Sequence, residues 1–200
     1  MLMNNMIKTL EYYNENALNF VTSTKNVDFH TIQLRFIRKL SQGAAILDFG
    51  CGSGRDTKYF LSQGYQVDAL DGSEEMCRLA GEYTGISVRH MLFQELSAKN
   101  IYDGIWACSS ILHLPYHELK EVFLKMACAL KENGIVYTSF KYGIFEGERN
   151  GRYFTDMTEE KMEKLLQEVS VFHTEELWIS EDVRPGREDE KWLNIILRKN

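Results

Sequence analysis

Ile46-Leu47-Asp48-Phe49-Gly50-Cys51-Gly52-Ser53-Gly54 reads as a short apolar strand that carries a carboxylate near its end and enters a loop with glycine at every second position. Glycine permits tight turns and close approach of backbone to ligand, because no Cβ intervenes. Dinucleotide sites use the same device but space it G-x-G-x-x-G, with the third glycine packing the following helix on the strand. Here the third glycine arrives one residue early, and Arg55 stands where that pattern needs glycine. Asp48, two residues ahead of the first glycine, would repel an incoming pyrophosphate and favours a ligand with positive charge, such as an ammonium or a sulfonium. Downstream, Tyr65 to Leu70 reads as a second strand leading to Asp71. A carboxylate roughly 20 residues beyond such a loop is placed to take the ribose hydroxyls of a nucleoside. The stretch between them, Asp56 to Gln63, has helical spacing and is closed by Gly64. Strand, glycine loop, helix, strand and acid thus follow in the order of a nucleoside site, and Asp48 points to S-adenosylmethionine rather than NAD.

Four segments carry a resemblance. Asp48 to Gly54, Asp71-Gly72-Ser73, Tyr102 to Pro115 and Leu130 to Ile135 are similar to the motifs of class I S-adenosylmethionine-dependent methyltransferases. The small single-domain bacterial enzymes related to the tellurite-resistance methyltransferase are the nearest in kind. The resemblance covers about residues 43 to 140. It implies an α/β fold: a doubly wound, Rossmann-like seven-stranded sheet in the order 3-2-1-4-5-7-6, one strand antiparallel, with helices on both faces. It also implies S-adenosyl-L-methionine as cofactor and S-adenosyl-L-homocysteine as product.

Bulk properties set limits. Two hundred residues suit one domain with a full core. The apolar and charged fractions, 44% and 26%, are ordinary for globular proteins. No apolar run approaches a membrane span, and residues 1–8 lack the pattern of a secretory signal. The four cysteines, Cys51, Cys77, Cys108 and Cys128, form no metal-like spacing, so no metal site is expected and the thiols read as free. A cytoplasmic location follows. The net charge of −6 disfavours a long nucleic-acid partner, which needs a basic track. Arg35, Arg38 and Lys39 read as the solvated face of a helix from Asp28 to Leu40.

The remaining pattern fills in a parallel sheet with a closing antiparallel pair. Apolar spacing over Met6 to Val21 predicts a first helix, and Ser73 caps a helix that Gly85 ends. Ile86 to His90 and Asp103 to Ala107 are strands. A helix containing Leu119 to Leu130 ends at Gly134, and Ile135 to Phe140 is the fifth strand. Thr158 caps a helix over Glu159 to Val169. Strands at Val171–Ser180 and Lys191–Arg198 flank a polar turn, 181–190, that contains Pro185-Gly186 and reads as solvated. The chain divides as one domain: helices over 1–42 covering the cofactor, a cofactor-binding core over 43–140, a loop over 141–157 acting as a lid, and a closing helix and strand pair over 158–200.

Ligands of such sheets bind beyond the carboxyl ends of the strands, which selects the site candidates. Gly50, Cys51, Gly52 and Gly54 wrap the cofactor, Asp48 meets its ammonium directly or through water, and Asp71, followed by Gly72, takes its ribose. The resemblance places Leu92 and Phe93 at the adenine, where many relatives have an Asp-Ala pair; Phe93 is a candidate to pack on the ring and Gln94 to bond its edge, with a plain core role for Phe93 as the alternative. The resemblance also places Ala107 and Cys108 beside the transferable methyl, and Tyr12 and Tyr13 over the cofactor. His113 is a candidate general base, with a pocket-lining role as the alternative. The lid, beginning at Lys141 and Tyr142, offers Arg149 and Arg152 as clamps for an anionic substrate, with Tyr12 and Tyr153 as further contacts. The function expected is methyl transfer to a small, polar acceptor by a monomer or homodimer. Methylation of tRNA or protein, and a non-catalytic cofactor-binding module, are the alternatives.

Overall fold

The computed structural model describes residues 2–184, 186–187 and 189–200. Its frame is a seven-stranded sheet. The strands are β1 (Ala45–Phe49), β2 (Gln66–Asp71), β3 (Val88–His90), β4 (Tyr102–Ala107), β5 (Leu130–Lys141), β8 (Phe172–Glu181) and β9 (Lys191–Lys199), in the spatial order β3-β2-β1-β4-β5-β9-β8. Only β9 runs antiparallel to its neighbours. This is the predicted order: the last two strands become the eighth and ninth because a separate hairpin, β6 (Glu146–Arg149) and β7 (Arg152–Thr155), precedes them.

Alternation along the strands creates two cores, one on each face of the sheet. Leu47, Phe49, Ile105 and Val136 pack with α5 (Tyr116–Ala129) and α6 (Glu159–Val169). Their neighbours Ile46, Trp106, Ile135 and Tyr137 pack on the other face with Phe36 of α2 (His30–Ile37) and Phe60 of α3 (Arg55–Ser62). The caps behave as their residue types dictate. The Ser73 hydroxyl accepts from the Met76 amide at 3.2 Å to open α4 (Glu74–Thr84), and Gly85 closes it at φ +83°. Thr158 caps α6. The N-terminal helix α1 (Leu2–Thr24) lies across α4 and β7.

Three expectations need correction. Helix α2 stops at Ile37 rather than Leu40, because Lys39 and Leu40 donate to carbonyls three residues back and tighten the chain into turns. Helix α5 stops at Ala129, not at Gly134: Leu130 is already extended and pairs with Tyr102, and an irregular stretch with Asn133 at φ +60° precedes the pairing of Ile135 with Gly104. The 141–157 segment is no open loop but the β6–β7 hairpin. Its turn is Asn150-Gly151, with both residues at positive φ (52° and 77°), the pair that a two-residue hairpin turn demands.

Candidate active site

Loops from the carboxyl ends of β1, β2, β4 and β5 surround a cavity of about 510 Å³, roofed by α1, the hairpin and the 181–190 turn. The glycine loop is stapled to β2: the amides of Gly50 and Cys51 both donate to the Leu70 carbonyl, at 2.9 and 3.0 Å. At Gly50 (φ +86°) a Cβ would sit 2.5 Å from Cβ of Ser110, so nothing larger fits. Asp71 closes the loop from the other side. Its Oδ2 accepts from the Gly52 amide and its Oδ1 from the Ser73 amide, each at 2.9 Å. Burial leaves its pKa raised, with those amides offsetting the shift only in part. Each oxygen keeps acceptor capacity toward the cavity, since a carboxylate oxygen has two lone pairs.

Most of the predicted residues converge here. Gly50, Cys51, Gly52, Asp71, Gly72, Phe93, Gln94, Cys108, Tyr13, His113, Lys141, Tyr142, Arg149 and Arg152 all line the cavity. Five lie behind its wall. Asp48 is 2% exposed and accepts from the Thr57 hydroxyl at 2.5 Å beneath the loop. Burial and the neighbouring Asp56 charge push its pKa up to about 8. Gly54 caps α3 in the left-handed conformation, and a Cβ there would meet Thr84 and Ala80 of α4 at 2.8 and 3.2 Å. It is a packing glycine, the duty of the third glycine in dinucleotide sites. Ala107 is fully buried in the core. The Tyr12 ring lies over the Arg152 guanidinium, and the Tyr153 hydroxyl points away to Glu146.

His113 is the hub of the roof. A carbonyl can only accept, so the 2.6 Å contact of Nδ1 with the Tyr153 carbonyl fixes the proton on Nδ1. Nε2 therefore accepts from the Tyr13 hydroxyl at 2.8 Å, and that hydroxyl in turn accepts from Arg152 at 3.4 Å. Burial lowers the imidazole pKa to about 4, so it is neutral at physiological pH. Its basic nitrogen already holds a proton donor. Burial drives the Cys108 thiol up to about 12.

Several lining residues escaped the sequence reading. Asp56 is a buried junction that accepts from Gln33, Trp106 and both prongs of Arg55 at 2.6–2.8 Å. Burial pushes its pKa upward, but Arg55 and these donors more than offset that and leave it low. The signal was present in Arg55-Asp56 after the last glycine. The 181–190 turn, read as solvated, also lines the cavity through Asp182, Val183, Arg184, Arg187, Asp189 and Glu190; Pro185 lies outside the described residues. Asp182 binds Arg184 and the Trp192 indole, and these contacts outweigh burial to hold its pKa at about 2. Lys141 pairs with Glu190 and lies over the Trp192 ring. Arg35 and Arg38 are exposed, as the solvated-face reading expects; Arg35 and the half-buried Lys39 also pair with Glu176 of β8.

A parallel sheet with this strand order, a glycine loop after β1 and an acid after β2 define a Rossmann-like nucleoside-binding enzyme fold. Residues 46–134 match the family model described as "Methyltransferase domain". The matched segment runs from β1 into β5 and carries the glycine loop and Asp71, so the core of the chain is similar to methyltransferase domains. Curated relatives include the ubiquinone biosynthesis O-methyltransferases of Rickettsia canadensis and Rickettsia felis, each 27% identical over 99 residues, 47% of this chain. The chain spans only about two-fifths of their length (41% and 40%). Among solved structures, the Burkholderia thailandensis 1,6-didemethyltoxoflavin-N1-methyltransferase superposes with a TM-score of 0.82 at 21% identity. That match covers 100% of this chain and 91% of that one, and the structure holds 1,6-didemethyltoxoflavin and S-adenosylhomocysteine. A Methanosarcina mazei SAM-dependent methyltransferase gives 0.72 at 17% identity, over 82% of this chain and 96% of that one.

Proposed function

We propose that the protein transfers the methyl group of S-adenosylmethionine to a small, polar acceptor by in-line displacement, in the cytoplasm, as one domain. The observation that carries this reading is one continuous cavity with two differently built ends. At one end the glycine loop presents backbone and Asp71 presents acceptor oxygens. At the other stand the hairpin and the 181–190 turn, rich in charged and aromatic groups.

The first end fits the cofactor. Gln94 donates its amide NH₂ to Glu118 at 2.8 Å, while its carbonyl Oε1 is buried without a partner. Phe93 and Gln94 would hold the adenine, with the unpartnered Gln94 carbonyl available as an acceptor for its amine. Asp71 is matched to vicinal hydroxyls, and the loop amides and Tyr13 border the amino-acid portion. Asp48 supports the loop through Thr57 rather than touching the ligand. When bound, the cofactor supplies an already activated methyl group. The chain's own residues are left to align acceptor and methyl and to keep water out, which can account for several kcal/mol of rate acceleration. Ser109 and Cys108, at the end of β4, leave room beside the methyl. His113 positions the roof through Tyr13 and Tyr153, which favours that role over general base.

A cavity that continues past the cofactor end speaks against a non-catalytic module. Four of the five cavity arginines are paired with carboxylates of the protein, which speaks against a phosphate track for tRNA. The test is methyl transfer from labelled cofactor to a panel of small acceptors at low and high salt. Turnover unchanged by salt supports the reading, and turnover only with tRNA or protein overturns it.

A further inference from the structure

Of the five arginines that line the cavity, four are bonded to carboxylates: Arg55 to Asp56, Arg149 to Asp156, Arg184 to Asp182 and Arg187 to Glu190. Arg152 is the exception. Among the described residues no carboxylate lies within ion-pair distance of it. It leans instead on three aromatic rings, with its guanidinium carbon 4.5 Å from the Tyr12 centroid, 5.2 Å from Phe154 and 5.7 Å from Tyr13. Its one hydrogen bond in the site, to the Tyr13 hydroxyl, is long at 3.4 Å, and its Nε is buried without a partner. Partly buried charge is normally compensated by an opposite charge, because the lost hydration is not otherwise recovered. The rings hold the fork in place but provide no negative charge. Arg149, its neighbour across the hairpin turn, cannot share the task while it binds Asp156 at 2.7 Å.

We infer that Arg152 is an anion-binding residue whose partner is a carboxylate brought in by a ligand of this cavity. This rests on the proposed function above. The carboxylate can belong to the amino-acid end of the cofactor or to an acidic acceptor. Arg152 thereby links the ligand's charge to Tyr13 of α1 and, through it, to His113. A planar guanidinium suits a carboxylate because the two can form paired, charge-assisted hydrogen bonds.

Calorimetric titration of the full chain and of Arg152→Gln separates the sources. The probes are S-adenosylhomocysteine, 5′-methylthioadenosine (the same thioether without the amino-acid group), and benzoate added to the S-adenosylhomocysteine complex. Charge-assisted bonds contribute about 1.5–3 kcal/mol, or roughly 10- to 100-fold in affinity. If the cofactor carboxylate is the partner, Arg152→Gln weakens S-adenosylhomocysteine by that factor and leaves methylthioadenosine unchanged. If an acidic acceptor is the partner, S-adenosylhomocysteine binds as before and benzoate binding to the parent complex is lost in the variant. If the variant binds S-adenosylhomocysteine as the parent does, and benzoate shows no difference or no binding at all, the inference is overturned. Should Arg152→Gln not fold, Arg152→Lys provides the same comparison, keeping the charge but losing the fork, with a smaller loss expected in the affected arm. A parent chain that binds no adenosyl ligand would instead overturn the functional reading on which the inference rests.

Discussion

At the residue scale, two buried groups give opposite pH dependences. His113 has a folded pKa of about 4 against an ordinary value of 6.5. In that window the unfolded chain binds the extra proton, so the stability His113 contributes is complete above 6.5 and is lost as the pH falls toward 4. Asp48 is raised from 3.8 to about 8, so its folded form prefers the proton and stability is lost as the pH rises through that range. Between pH 4 and 6.5 the two slopes oppose each other, and the parent curve alone does not separate them. The stability difference between the parent and His113→Gln is therefore the observable. It should shrink by about 2–3 kcal/mol as the pH is lowered from 7 to 4, measured by urea unfolding. A constant difference would contradict the buried, neutral imidazole. Above pH 6.5 the parent should lose stability toward pH 8, and Asp48→Asn should flatten that limb. Gly50→Ala forces a Cβ against Ser110 at a φ of +86°. The variant should lose about 1–3 kcal/mol and most of its affinity for S-adenosylhomocysteine, read by calorimetry.

At the scale of elements, the cavity depends on how α1 and the hairpin are tied down. Asn14 of α1 accepts from the Ser73 hydroxyl at 2.7 Å, and Thr9 accepts from the Tyr153 amide at 2.9 Å. Ser73 therefore both caps α4 and anchors α1. Ser73→Ala should cost about 1–2 kcal/mol, at the upper end for a lost cap, and should speed amide exchange along α1. Unchanged exchange in α1 would show that the anchor lies elsewhere. The elements differ in how far the sequence disclosed them. The βαβ unit around the glycine loop was legible because its first strand is a short apolar run, its helix is short and its punctuation is all glycine. The hairpin was not read from Arg149-Asn150-Gly151-Arg152, although Asn-Gly between alternating residues is the strongest local hairpin signal. Glycines at 143 and 147 made the segment resemble an irregular loop. The early end of α5 had no local signal, because Leu130 to Asn133 leave the helix only to meet Tyr102 of β4, a tertiary demand.

At the scale of the whole molecule, the glycine-loop end of the cavity was readable and the end at the hairpin and the 181–190 turn was not. Asp71 and the loop glycines occupy positions that spacing can assign, whereas Phe93 and Gln94 came only with the resemblance. The contribution of the 181–190 turn comes from packing across the sheet, where β9 meets β5 and carries Trp192 and Glu190 to Lys141, and no local pattern reports it. Asp48 shows the same limit in reverse: its position was read correctly, but its side chain turns under the loop to Thr57. No helix among the described residues is long and apolar enough to cross a membrane. With a net charge of −6 and cavity arginines mostly bonded within the chain, ligand binding should change little between low and high salt. A steep salt slope would mark a nucleic-acid partner.

On this reading the cavity binds an adenosyl cofactor through Asp71 and the glycine loop. Thermal unfolding of the parent and of Asp71→Ala, each with S-adenosylhomocysteine or NAD, tests it most directly. A ligand at 100 times its dissociation constant stabilises by about 2.7 kcal/mol, a rise of roughly 5–11 °C for a chain of this size. That rise is expected for the parent with S-adenosylhomocysteine, none with NAD, and a much smaller one for Asp71→Ala. A rise with NAD alone, or an equal rise in Asp71→Ala, would contradict it.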